Sequence, residues 1–171
     1  MMGGELSING TLAFARRLDG SGQLQTSGLS SLIDYENRNG TTSIRINMPY
    51  KTDRSIFANE DGKNNIVLFE GIGYLCTNKQ SAPTMGELVT LAEKYKLPAF
   101  GIVIYSNNQI FPFVYVGKTQ SMVAESACGS GSIALNILTG QQRIVQPTGK
   151  TIEVNHVKDR FTITAKVDMI R

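Results

Sequence analysis

Glu125-Ser126-Ala127-Cys128-Gly129-Ser130-Gly131-Ser132-Ile133-Ala134 decides how the rest of the chain is read. A polar, small-residue turn opens a short apolar helix, predicted from Ser130 to Leu138 and stopped by Gly140. Cys128 stands just before that helix, where backbone N–H groups are free and the helix dipole is positive. The same turn occurs near the start of the chain. With Ser7 placed on Cys128, Gly10 falls on Gly131, Thr11 on Ser132, Leu12 on Ile133 and Ala13 on Ala134. Glu5 and Glu125 are one position out of step. Two similar small domains explain the echo; a chance likeness of two helix starts is the other explanation.

Working outward, Ile8–Leu18 reads as a helix, with Leu12, Ala15 and Leu18 sharing a face before Gly20-Ser21-Gly22. Short strands follow, and Asn39-Gly40 between Ile33-Asp34-Tyr35 and Ser43-Ile44-Arg45-Ile46 signals a hairpin. Residues 51–65 are polar, with a turn at Asp61-Gly62, and are the expected domain boundary. Ile66–Phe69 reads as a buried strand, with Gly71–Cys76 as its continuation. Thr84 and Glu87 have capping-box spacing ahead of Leu88, Leu91, Ala92 and Tyr95, and Pro98 ends that helix. Phe100–Tyr105, Ile110–Val116, Arg143–Val145, Thr151–Val154 and Phe161–Val167 are further strands, with a turn at Pro147-Thr148-Gly149. Many antiparallel strands with three helices indicate an α+β architecture.

Composition narrows the function. The 171 residues carry a net charge of +3, with Arg16-Arg17 the only adjacent basic pair, so nucleic acid is not an expected partner. No apolar run reaches the length of a membrane helix, and the N-terminal residues lack a secretory pattern, so the expected setting is cytoplasmic. Two cysteines and one histidine do not make a disulfide framework or an ordinary zinc site, and no metal is expected. Cys76 reads as core, and His156 as a surface strand residue. Glu125 either orients its loop or is a solvated carboxylate.

A helix start can ionise a thiol more easily and can hold a carboxylate without a basic side chain. Two such starts facing across a cleft could hold an amino acid with its α-carbon between two side chains. One would remove the α-proton and the other would protonate the opposite face. Donors around the carboxylate would stabilise the developing charge, and no pyridoxal cofactor is required. The bland alternative for Cys128 is a small buried hydrophobe.

These residues carry a family resemblance. Residues 125–132 resemble the second active-site motif of diaminopimelate-epimerase-like racemases, and residues 2–11 resemble their first, a Cys-Gly-Asn-Gly/Ala-Thr turn. Ile46-Asn47-Met48-Pro49 is similar to the strand closing the family's first half, and residues 67–74 to the strand leading to a Gly-Ile-x-His turn. The resemblance implies two pseudo-symmetric domains of mostly antiparallel strands around a central helix. Residues 1–52 would form a partial first domain, truncated at its N-terminal side, and 53–171 the second, with the last strand free to return to the first. It implies cofactor-independent racemisation or epimerisation of an amino acid. Cys128 and Ser7 take the catalytic positions. Asn9, Gly10, Gly129, Ser130, Gly131 and Tyr74 take the substrate-binding ones. The expected partner is a small-molecule amino acid, and a homodimer is left open.

Four features depart from the pattern. Ser7 replaces the first thiol, Ile8 the following glycine and Tyr74 the usual histidine, and the chain begins almost at the first motif. A hydroxyl is a far weaker base than a thiolate. A homologue that only binds an amino acid or a partner, and a one-base or dehydratase variant, are the alternatives. The Glu-x-x-Cys-Gly-Ser-Gly pattern is closer to the family's histidine racemases than to diaminopimelate epimerase, whose Glu-Arg-Gly run is replaced here by residues 118–124.

Overall fold

A computed structural model describes residues 6–54, 65–79 and 81–168. The architecture is α+β. Its elements are α1 (Ile8–Ala15), β1 (Ser21–Leu24), β2 (Ile33–Arg38), β3 (Thr41–Asn47), β4 (Lys51–Asp53), β5 (Ile66–Phe69), β6 (Ile72–Thr77) and α2 (Met85–Tyr95). They continue with β7 (Ala99–Ser106), β8 (Gln109–Val116), β9 (Ser121–Ala124), α3 (Gly129–Thr139), β10 (Arg143–Val145), β11 (Thr151–Val157) and β12 (Arg160–Lys166). The strands form one continuous sheet in the order β1-β2-β3-β12-β11-β10-β8-β7-β6-β5-β4, with β9 added to β8. Pairing is antiparallel except for β6–β7 and β10–β8.

Local sequence accounts for several elements. Asn39 and Gly40 both have positive φ, 49° and 79°, as a tight hairpin turn requires, and they join β2 to β3. Thr84 and Glu87 form the full capping box at the start of α2. Gly140, at φ 74°, caps the end of α3.

Three readings change. The first helix ends at Ala15 rather than Leu18, because Asn37 reaches over from β2 and its Nδ2 donates to the carbonyls of Ala15 and Leu18. Gly71 does not continue β5: at φ 82° it turns the chain back, so β6 pairs antiparallel with β5. Lys51–Asp53, the start of the polar stretch, is strand, since it pairs with β5. The proposed turn at Asp61-Gly62 lies outside the described residues.

Burial is organised around the helices. Ile8, Leu12 and Ala15 of α1 join Ile133, Ala134 and Leu135 of α3 and the inward residues of β3, β11 and β12 in one core. Leu88, Leu91 and Ala92 of α2 form a second core with Phe100, Ile102 and Ile104 of β7. Strand β12 ties the sheet together, pairing β11 on one side and β3 on the other. That pairing brings α1, from the beginning of the chain, beside α3. Cys76 is fully buried as expected. His156 is not a surface residue. It is half-buried, its Nδ1 lies 2.7 Å from Asn136 Oδ1, and its ring stacks on Phe161.

Candidate active site

The two helix starts are built alike. Ser7 is extended and caps α1: its Oγ accepts the Gly10 N–H at 3.0 Å, and its carbonyl accepts Thr11 N at 2.8 Å and Thr11 Oγ1 at 2.6 Å. Cys128 is extended and caps α3: its Sγ accepts the Gly131 N–H at 3.3 Å, and its carbonyl accepts Ser132 N at 3.0 Å and Ser132 Oγ at 2.7 Å. The pairing of Ser7 with Cys128, Gly10 with Gly131 and Thr11 with Ser132 therefore holds bond for bond.

The two starts also touch. A Cβ placed on Gly129 would lie 2.3 Å from Ile8 Cγ2, so only glycine lets the backbones approach this closely. Asn9 crosses the junction. Its Nδ2 donates to Ala127 O at 2.7 Å, and its Oδ1 accepts the Gly129 N–H at 3.1 Å. The Cys128 N–H is taken by Gln146 Oε1. Among the described residues, the N–H groups of Ile8, Asn9 and Ser130 are left without partners in the first turns of the two helices.

These groups line a cleft of about 380 Å³. Ser7, Ile8 and Asn9 enter it from α1. Cys128, Gly129 and Ser130 enter from α3, Tyr74 from β6, and Val114 and Val116 from β8. Glu125, Thr119, Ser121 and Val123 close it from the stretch around β9. Among the described residues, Glu125 is the only charged side chain on this wall. Gly10 and Gly131 are not on the wall; their N–H groups serve the two caps.

Tyr74 is held by its neighbours. Its ring lies over Gly101 of the paired strand β7, where a Cβ would fall 2.4 Å from Tyr74 Cε1. Its hydroxyl lies 2.7 Å from Ser130 Oγ and 3.6 Å from Cys128 Sγ. Burial raises its pKa well above the ordinary value, and the charges of Cys128 and Glu125 add to the shift.

The electrostatics of Cys128 run against the expectation of an easily ionised thiol. Burial pushes its pKa upward, and the neighbouring Glu125 carboxylate pushes the same way by charge and by hydrogen bonding. The Tyr74 hydroxyl and the Gly131 N–H favour the thiolate, but they do not offset desolvation. Glu125 is itself raised by burial, while its hydrogen bond with Cys128 lowers it. It is thus not a solvated carboxylate, and it acts on the turn that carries Cys128. Two residues of the site were not expected. Gln146, buried, donates from Nε2 to Ser132 Oγ and Ile144 O while accepting from Cys128 N. Gly101 gives Tyr74 its place. Neither has a local signal, because each acts across strands.

Among the described residues no three metal-ligating side chains cluster, and no helix is long and apolar enough to cross a membrane.

The chain is similar to several known proteins. Histidine racemase of Fusobacterium nucleatum subsp. nucleatum is 29% identical over 197 residues, covering 99% of this chain and 74% of that protein. A phenazine biosynthesis PhzC/PhzF protein from Clostridium difficile superposes with a TM-score of 0.57 at 12% identity, covering 95% of this chain and 70% of that one. A PhzF-family protein from Enterococcus faecalis gives 0.56 at 13%, with the same coverage. Those two likenesses establish the shared fold. The family model described as the histidine racemase CntK N-terminal domain matches residues 1–168, and the chain belongs to that family.

Proposed function

We propose that this protein racemises or epimerises an amino acid without a cofactor, by removing and returning the α-proton. The observation that carries the reading is the matched pair of helix starts, with Ser7 and Cys128 as their caps on one cleft. The unpaired N–H groups of Ile8, Asn9 and Ser130 supply donors for the substrate carboxylate from both helices. Glu125 is placed to receive the ammonium group or to exchange a proton with Cys128. Substrate lies between a first part, residues 1–52, and a second, residues 53–171.

The Cys128 thiol is neutral at rest, so it cannot act alone as the base. The neighbouring Glu125 carboxylate takes the thiol proton as Sγ takes the α-proton, leaving the electron pair conjugated with the substrate carboxylate. Ser7 Oγ already accepts from Gly10, and its own proton has no acceptor among the described residues. It is a better donor than base, so the reaction is asymmetric: Cys128 removes the proton, Ser7 returns one to the other face, and the proton left on Glu125 is passed back to the Ser7 oxygen through solvent. The family match supports an amino-acid racemase; histidine is the substrate named for the Fusobacterium relative.

Incubation in heavy water with a panel of amino acids tests this. Deuterium should enter the α-position of one of them, and Cys128→Ala should abolish the entry. No exchange with any amino acid, in protein shown to be folded, would reject the reading. Ser7 in place of a thiol favours a second outcome, a descendant that binds but does not invert. In that case an amino acid raises the melting temperature without exchange.

A further inference from the structure

Asn9 does something that neither the matched caps nor the cleft requires. Its side-chain amide plane is fixed at both ends, donating to Ala127 and accepting from Gly129, on either side of Cys128. The corresponding position on the other helix, Ser130, reaches back to Tyr74 of its own neighbouring strand and not to α1. The crossing therefore runs one way, from α1 to the turn that carries the thiol. Ile8 packs against Gly129 at the same place, so the backbones abut where the amide bridges them. The β3–β12 pairing joins the same two parts of the chain through the sheet. Asn9 joins them at the reacting end.

We infer that Asn9 is a positioning residue, a strap that fixes the separation of Ser7 and Cys128, and that it does not serve chiefly as a ligand for the substrate carboxylate. The inference builds on the reading of the cleft as a proton-transfer site. A strap acts on inversion more than on exchange. Exchange needs only Cys128 and Glu125, both on the α3 side. Inversion needs the second group, on α1, at the right distance from the same carbon. A displacement of about an ångström is enough to cost roughly 100-fold in such a geometry. A carboxylate ligand would behave otherwise, since its loss weakens substrate binding and lowers both readouts together.

The experiment compares the wild type with Asn9→Ala and Asn9→Asp. It measures α-deuterium entry, inversion, and hydrogen exchange of the Gly129 amide by NMR without substrate. Asn9→Ala should expose the Gly129 amide and lower inversion roughly 10- to 100-fold more than it lowers deuterium entry. Asn9→Asp keeps the acceptor for Gly129 but loses the donor to Ala127. It should retain the Gly129 protection and fall between the other two in inversion. Unchanged Gly129 protection in Asn9→Ala overturns the strap, as does an equal loss of exchange and inversion. If Asn9→Ala does not fold, Asn9→Asp decides: lost Gly129 protection overturns the inference. A wild type that exchanges no amino acid defeats the proposed reaction, while the Gly129 amide still reports on the strap.

Discussion

Glu125 and Cys128 line the same cleft, and each shifts the titration of the other. The thiol is held neutral and the carboxyl is raised, chiefly because both are drawn out of water. Neither group alone suits removal of a weakly acidic proton, but the pair can move one proton between them.

This relationship sets the acid side of the activity profile. Glu125 must be ionised to accept the thiol proton, and burial raises its pKa above the ordinary carboxylate range. Deuterium entry should therefore decline on acidification at a higher pH than an unperturbed glutamate, at about 4.3, would give. Glu125→Gln should lose this limb and most of the rate, roughly 100-fold or more by the scale of general-base catalysis. A pH–rate profile of both proteins checks it. An acid limb that survives in Glu125→Gln would assign it to another group.

Stability should fall in alkali. Cys76, Cys128 and Tyr74 all have raised pKa values, each first because of burial. Their stabilising contribution is whole below the unfolded values, about 8.5 for a thiol and 10 for tyrosine. Above those values the unfolded chain gives up protons that the folded chain keeps, and stability drops as pH rises. The urea midpoint should decrease between pH 8 and pH 10.5, and Cys76→Ala should flatten that slope while lowering the midpoint at pH 7. A midpoint rising with pH across this window would contradict the burial argument.

Gly129→Ala tests the contact between the helix starts. The added methyl would meet Ile8 Cγ2 at 2.3 Å and Ile8 Cβ at 2.6 Å, neither of them the free end of a flexible chain. A loss of about 1–3 kcal/mol is expected from overpacking. Adding Ile8→Ala should recover part of it, so the two changes should be non-additive in a denaturation cycle. Simple additivity would mean that the helices move apart freely.

Gln146→Leu should be costly although it changes no charge. It strands the buried Cys128 N–H and removes the donor to Ser132 Oγ, which keeps its own bond to the Cys128 carbonyl. Each unmet buried group costs about 1–3 kcal/mol. Thermal melting should show the loss, and Cys128 should react faster with a small alkylating agent as its cap loosens. An unchanged melting temperature would mean that water takes over the role of Gln146.

What was legible in the sequence was mainly local. Asn39-Gly40, Thr84 with Glu87, and the small-residue turns before α1 and α3 act within a few residues, and each gave the expected element. The echo of Ser7 and Cys128 was legible because a helix cap uses fixed offsets along the chain. What escaped depends on partners far away in sequence. Asn9 meets Ala127 and Gly129, Gln146 meets Cys128, and Tyr74 crosses Gly101 only after the strands pair. The thiol pKa was misread for the same reason. A helix N-terminus favours the anion, but the packing that desolvates Cys128 comes from several elements together.

Strand β12 has a consequence for the order in which the protein is made. It sits between β3 and β11, pairing Arg160 with Asn47 and Lys166 with Thr41. Closing contacts over so long a stretch of chain is slow compared with forming hairpins. During refolding, the β2–β3 and β7–β8 hairpins should form early, while the crevice stays open until β12 zips into place. Competence for chemistry should therefore lag behind the bulk of the circular-dichroism signal, and the Gly129 amide at the junction should be among the last to gain protection.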